Sequence, residues 1–266
     1  MKHLYWDELF RKYDRITKRL TSKGRRRVIE RLHDNTAIDF TLKNIFQLTL
    51  WLIKNSNTMF DEQVTDFFYS LCNPETIHRY KSNLRWSEDD WRYIKDGFNR
   101  GWRDEQEKHR KSLKNIMLDY RIVVRAYSNF DNSEWRSSDS MSGDCYDFLE
   151  DIYIIAENLG FDVARELPQD RSNISIEYWR NFDVSLKDGS PFANIKLYKN
   201  GNRHVKFCKE FMQKLNVEMA RINGWIQDKS EAADEMGMTT AEVARFWGSN
   251  RKIEIAAGKQ LLGLPA

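Results

Sequence analysis

The side chains best suited to chemistry gather between Asp183 and Phe207. Lys196, Tyr198, Arg203, His204 and Lys206 fall within one short segment. Cationic N–H groups beside a flat ring have the means to grip a phosphate backbone. The same residues would equally suit an exposed sheet face or an edge guarded by lysines. A second basic group is Arg25, Arg26 and Arg27, the end of a run from Arg11 that holds nine Lys/Arg against one acid, Asp14. Such a run would neutralise phosphates or meet an acidic partner, and its plain alternative is the solvated face of a helix. Asp183 with Lys196 is the nearest approach to a metal-dependent nuclease, which needs convergent carboxylates and a lysine to activate water. No Asp…Glu-x-Lys spacing accompanies that pair.

A different chemistry is suggested by Glu231 to Trp247, EAADEMGMTTAEVARFW. Small Ala233 suits a close helix approach, and Gly237 suits a turn that needs positive φ. Met236, Met238, Val243 and Phe246 fall at inward positions, and Thr239 with Glu242 forms a capping box. This is helix-turn-helix spacing. It would present Thr240, Ala241 and Arg245 to DNA bases, although Arg245 is the one obvious long polar reader. An ordinary corner between two helices would have the same pattern.

Composition narrows the class. The chain has 266 residues, 41% hydrophobic and 13% aromatic with nine Trp, which suits a folded core. A net charge of +3 is too mild to imply nucleic acid by itself. Cys72, Cys145 and Cys208 are far apart with no CxxC pair, so free thiols in a reducing cytoplasm are expected. The five histidines offer no pair at three- or four-residue spacing, and there is no Walker loop, no G-x-G-x-x-G and no G-x-S-x-G. No metal and no cofactor are expected. The start of the chain carries charges throughout, unlike a signal peptide, and the longest apolar run, Ile45 to Ile53, is too short for a bilayer.

The elements that must position these residues follow from periodicity. Residues 4–20 carry a helical stripe of Trp6, Leu9, Tyr13, Ile16 and Leu20, with a second helix after Gly24. Thr41 caps a helix to about Lys54, apolar all round and therefore expected to be central; Phe60 to Leu71 forms another. A polar helix is expected from Glu88 to about Leu118. Tyr120 to Tyr127 is β-branched and aromatic, hence a strand; Ser128 to Gly143 has loop composition; Tyr146 to Leu159 is a helix closed by Gly160. Phe182–Leu186, Ala193–Tyr198 and Arg203–Phe207 alternate around turns at Asp188-Gly189 and Lys199 to Asn202, an antiparallel meander. A three-residue loop, Asn200 to Asn202, would set Leu197 opposite Val205 and Ile195 opposite Phe207, keeping one face apolar. Phe211, Leu215, Met219, Ile222 and Ile226 make the covering helix. The expected fold is α+β: a mainly helical region over 1–118, then a small sheet covered by helices with a helical C-terminus over 119–266, the two packed together.

FTLKNIFQLTLWLI (Phe40 to Ile53), MFDEQVTDFFYSL (Met59 to Leu71) and FANIKLYKNGNRHVKFCKEFMQKLN (Phe192 to Asn216) together resemble a domain of unknown function carried by phages, prophages and plasmids. Members of that family stand alone or are joined to DNA adenine methyltransferases, whose glycine-rich cofactor loop and Pro-Pro dipeptide this chain lacks. The resemblance implies a setting of conflict between mobile elements and bacterial hosts, and a place in the host cytoplasm. It implies no catalytic residues. The expectation is a non-enzymatic binding protein, acting on a host or phage protein complex such as an anti-phage defence nuclease. The alternative is a DNA-binding accessory protein using Glu231 to Trp247; a nuclease ranks below both. Self-association is compatible with each.

Overall fold

The computed structural model describes residues 19–34, 39–72, 77–80, 114–131, 140–167 and 181–248. Its helices are α1 (Ser22–Asp34), α2 (Leu42–Leu71), α3 (Gly143–Asn158), α4 (Lys209–Ile222), α5 (Lys229–Met236) and α6 (Thr240–Phe246). Its strands are β1 (Ile77–Arg79), β2 (Ile116–Leu118), β3 (Arg121–Arg125), β4 (Phe130–Asp131), β5 (Ser140–Met141), β6 (Asn181–Ser185), β7 (Pro191–Leu197) and β8 (Asn202–Phe207). The α+β class holds: helices come first, an antiparallel sheet ordered β3-β8-β7-β6 follows, and helices close the chain.

One face of that sheet makes the core. Ile122, Val124, Val184, Ala193, Ile195, Leu197, Val205 and Phe207 are buried against Phe211, Leu215 and Met219 of α4 and against α3. Phe192, Phe207 and Phe211 meet with ring centroids 5.0–6.1 Å apart, within the range of favourable aromatic pairs. The expected stripe on α4 therefore does cover the sheet.

Four expectations need correction. The helix from Thr41 and the helix from Phe60 are one continuous α2, because the polar stretch between them holds neither Gly nor Pro to break it. Its start is not central: Leu42 is 87% and Phe46 40% exposed, and among the described side chains of α2 the buried ones run from Phe60 to Leu71. Ile116 to Leu118 ends no helix but pairs as β2 with β1. The reason is a long-range contact: Asn216 of α4 donates its amide to the Leu118 carbonyl and accepts the Leu118 N–H, both at 2.9 Å, as a neighbouring strand would. The loop of Ser128 to Gly143 contains the short β4–β5 pair. The stripe at 4–20 and the helix from Glu88 to residue 113 lie outside the described residues, apart from a turn at Arg19 and Leu20.

The hairpin register is also shifted. Ile195 faces Val205 and Leu197 faces Arg203, so the loop is Lys199 to Gly201. Odd loop length preserved the two faces, since a two-residue slip leaves side-chain direction unchanged. The slip brings Gly201 against the end of β3: a Cβ there would lie 2.1 Å from the Ala126 carbonyl oxygen, and its φ is +84°. Gly189, at φ +85°, has open space instead. We expect Gly201→Ala to destabilise the fold by about 2–5 kcal/mol, combining left-handed strain and overpacking, and Gly189→Ala by roughly 1–2 kcal/mol. Urea unfolding of the two variants measures the difference.

Candidate functional site

The other face of the sheet is covered by no described element. Side chains one position out of phase with the core emerge there. Register sets three rows across it: Arg121, Lys206, Asn194 and Asp183; then Val123, His204 and Lys196; then Arg125 and Asn202, with Tyr198 beside them. Arg121, Arg125, Lys196, Tyr198, His204 and Lys206 are exposed. Arg121 and Lys206 stand directly opposite each other, a like-charge pairing that costs stability. Among the described residues no ion pair engages Arg121, Arg125, Lys196, His204 or Lys206. The face's one described carboxylate, Asp183, accepts from Asn194 Nδ2 at 2.7 Å. Tyr198 and His204 pack with ring centroids 4.6 Å apart, and Tyr127, just past β3, is 95% exposed.

Lys196, Tyr198, His204 and Lys206 thus share the face expected for them. Arg121, Val123 and Arg125 join them although sequence reasoning did not select them. Their alternation with Ile122 and Val124 was a visible sign, but the pairing of β3 with β8 is long-range and left no local mark.

Arg203 is the exception and must be reassigned. It lies on the inner face and is 3% exposed, because residues 203, 205 and 207 point together into the core. Its Nε donates to Asn129 Oδ1 and its Nη2 to Asp144 Oδ2, both at 2.7 Å, while the guanidinium sits 4.8 Å over the Phe148 ring. The Asn129 amide in turn donates to the carbonyls of Tyr198 and Asn202 at 2.8 and 3.0 Å. Arg203 is a structural pin under the hairpin turn.

The Arg25–Arg27 group is likewise committed. Arg25 pairs with Glu150, Arg26 with Asp147 at 2.7 Å, Arg27 with Asp66 at 3.0 Å and Glu62 at 3.4 Å, and Lys23 with Asp66 at 3.3 Å. Glu150 and Asp151 belong to the counter-surface that docks α1 on α3. Asp151 caps α1 from outside, accepting the Ser22 N–H at 2.7 Å and its Oγ–H at 2.9 Å. Burial pushes the Asp151 carboxyl up to about 6, against the downward pull of those two hydrogen bonds. Residues 1–18 with the rest of the basic run lie outside the described residues.

The helix-turn-helix spacing does fold as two helices. Asp228 caps α5, Gly237 turns at φ +63°, and the Thr239–Glu242 capping box opens α6. Ala232, Ala233, Val243 and Phe246 pack with Val217, Ala220 and Ile226, apart from the main core. Thr240, Ala241 and Arg245 are exposed, with Arg245 3.3 Å from Glu210. Over residues 228–246 the chain carries Asp228, Glu231, Asp234, Glu235 and Glu242 against Lys229 and Arg245, a balance of the wrong sign for a phosphate backbone. A cleft of about 460 Å³ beside Arg245 is lined by Lys187 and Lys214 but also by Asp162, Asp188 and Glu210, so its charge is balanced. No group of three or more metal-ligating side chains forms among the described residues, and no described helix is long and apolar enough to cross a membrane.

Both anchors can be tested by substitution. Arg203→Met strands the buried Asn129 oxygen and should cost about 1–3 kcal/mol, whereas Asp144→Asn, at the exposed end of the pair, should cost under about 1 kcal/mol. Denaturant titration separates the two. Because folding raises the Asp151 value, its contribution to stability is full below the ordinary value of 3.8 and is lost as pH rises through about 6. Relative to Asp151→Asn, the native protein should gain stability as pH falls through that window, followed by thermal unfolding.

No curated protein and no solved structure matches the chain. A family model, described as a domain of unknown function (DUF4942), matches residues 1–225 and so takes in the sheet and α4 but not α5 and α6. The chain belongs to the DUF4942 family.

Proposed function

We propose that the protein is a non-enzymatic binding protein that grips nucleic acid on the open face of β3-β8-β7-β6. The observation that carries this reading is the collection of cations there that no described carboxylate pairs with. A sheet built for stability alone would not set Arg121 opposite Lys206, nor leave Lys196 and Arg125 without a counter-charge among the described residues. By contrast, Arg25, Arg26 and Arg27 of α1 each have a carboxylate partner, so basic composition alone does not select the site. Phosphate oxygens would supply the missing negative charge. The setting implied by the family resemblance, a phage, prophage or plasmid acting inside a bacterial host, would give such a binder a role in shielding nucleic acid from a defence nuclease.

A second reading is favoured by the exposed rings of Tyr127 and Tyr198. Tyrosines are enriched at protein interfaces, and an acidic surface of a host defence complex would satisfy the same cations. The two readings differ in what the purified protein binds.

Fluorescence anisotropy with a labelled oligonucleotide of mixed sequence tests the first. Binding is expected at about 50 mM salt. Its affinity should fall about 50-fold by roughly 200 mM if four phosphates are neutralised on a single strand. Arg121→Glu with Lys206→Glu should abolish it, and Lys187→Glu with Lys229→Glu, exposed lysines elsewhere, should leave it intact. Absence of binding at low salt, or equal loss in both double variants, overturns the reading in favour of a protein partner.

A further inference from the structure

We infer that the face takes single-stranded rather than duplex nucleic acid, with a base stacked on the Tyr198–His204 ring pair; this rests on the nucleic-acid reading above. Dimensions argue first. Strands lie about 4.8 Å apart, so four of them span roughly 14 Å before side chains are counted. The major groove of a duplex is about 12 Å wide and admits a helix or a two-stranded ribbon. A four-stranded face is too wide to enter either groove of an undistorted duplex. It can touch such a duplex along the phosphates, and reaching base edges would cost the energy of opening a groove.

The chemistry of the face argues second. Tyr198, just past the end of β7, and His204 of β8 are diagonal neighbours, both exposed, with centroids 4.6 Å apart. Val123 lies directly opposite His204 on β3 and adds an apolar contact on the same side of the sheet. Rings flanked by cations are the means by which proteins hold unpaired strands, because an unstacked base offers a π-face and its backbone offers phosphates. Here the cations surround the rings. Lys196 pairs with His204, Arg125 and Asn202 lie at the Tyr198 end, and Arg121 with Lys206 lies one row away at the other. Along a strand, residues two apart are separated by about 7 Å, so the rows offer repeated cationic positions to an extended backbone. A duplex would leave the rings without a base to stack on.

Shape at the turn supports the same assignment. The Arg203–Asn129 network fixes the carbonyls of Tyr198 and Asn202 from beneath, so the ring of Tyr198 stands on a positioned backbone. Binding to it would require little ordering of the protein.

The test compares a single strand of about 15 nucleotides, its duplex and an abasic strand of equal length, each by anisotropy against the native protein, Tyr198→Ala and Tyr198→Phe. The native protein should prefer the single strand to the duplex by about 10-fold or more. Tyr198→Ala should weaken single-strand binding about 10-fold and bind the abasic strand as the native protein does. Tyr198→Phe should retain native affinity, since the ring and not the hydroxyl is used. Duplex binding as tight as single-strand binding, or less than a twofold change in Tyr198→Ala, overturns the inference while leaving the basic face as a nucleic-acid binder. No binding to any of the three overturns both.

Discussion

A buried guanidinium holds the sheet half of this molecule together. Arg203 reaches from β8 to Asn129 and Asp144 and lies over Phe148, so it joins the sheet to the segment after β3 and to α3. Through Asn129 it also fixes both carbonyls that flank the β7–β8 turn. A buried charge is costly unless its donors are used, and here two charge-assisted bonds and a ring share the burden. Gly201 completes the arrangement, since its missing Cβ is what lets the turn lie against Ala126. The outer face inherits its geometry from this underside: with Tyr198 and Asn202 fixed, the rows of Lys196, His204, Lys206, Arg121 and Arg125 are fixed as well.

Where a positive charge ends up decides what it can do. The arginines of α1 and those of the sheet look alike as text. Arg25, Arg26 and Arg27 of α1 meet Glu62, Asp66, Asp147 and Glu150, and their work is to dock one helix on two others. Each such pair is worth roughly 1 kcal/mol or less, so their effect is collective and mostly orienting. The sheet cations have no such partners among the described residues and sit on a face with nothing described above it. The proposed function rests on that difference.

Much of the fold was legible because it is written locally. Alternation placed β3, β6, β7 and β8, the stripe of Phe211 to Met219 placed α4, and the Thr239–Glu242 box and Gly237 placed the α5–α6 corner. What could not be read was written over distance. The two-residue slip of the hairpin is set by Gly201 meeting Ala126, and the burial of Arg203 by Asn129 and Asp144, partners 74 and 59 residues away. The strand at Ile116 to Leu118 depends on the side chain of Asn216, which lies 98 residues beyond Leu118 in the chain. The site was half legible for the same reason: its β7 and β8 residues are neighbours in sequence, while Arg121 and Arg125 arrive by a long-range pairing.

Everything proposed for this protein depends on which surface meets the ligand, and lysine footprinting reports that directly. The protein is acetylated with and without a single-stranded oligonucleotide, and reactivity at each lysine is read by mass spectrometry. Protection of Lys196 and Lys206 with unchanged labelling of Lys187 and Lys229 is the predicted result. Protection of Lys229 on α5, with Lys196 and Lys206 as reactive as in the free protein, would contradict it.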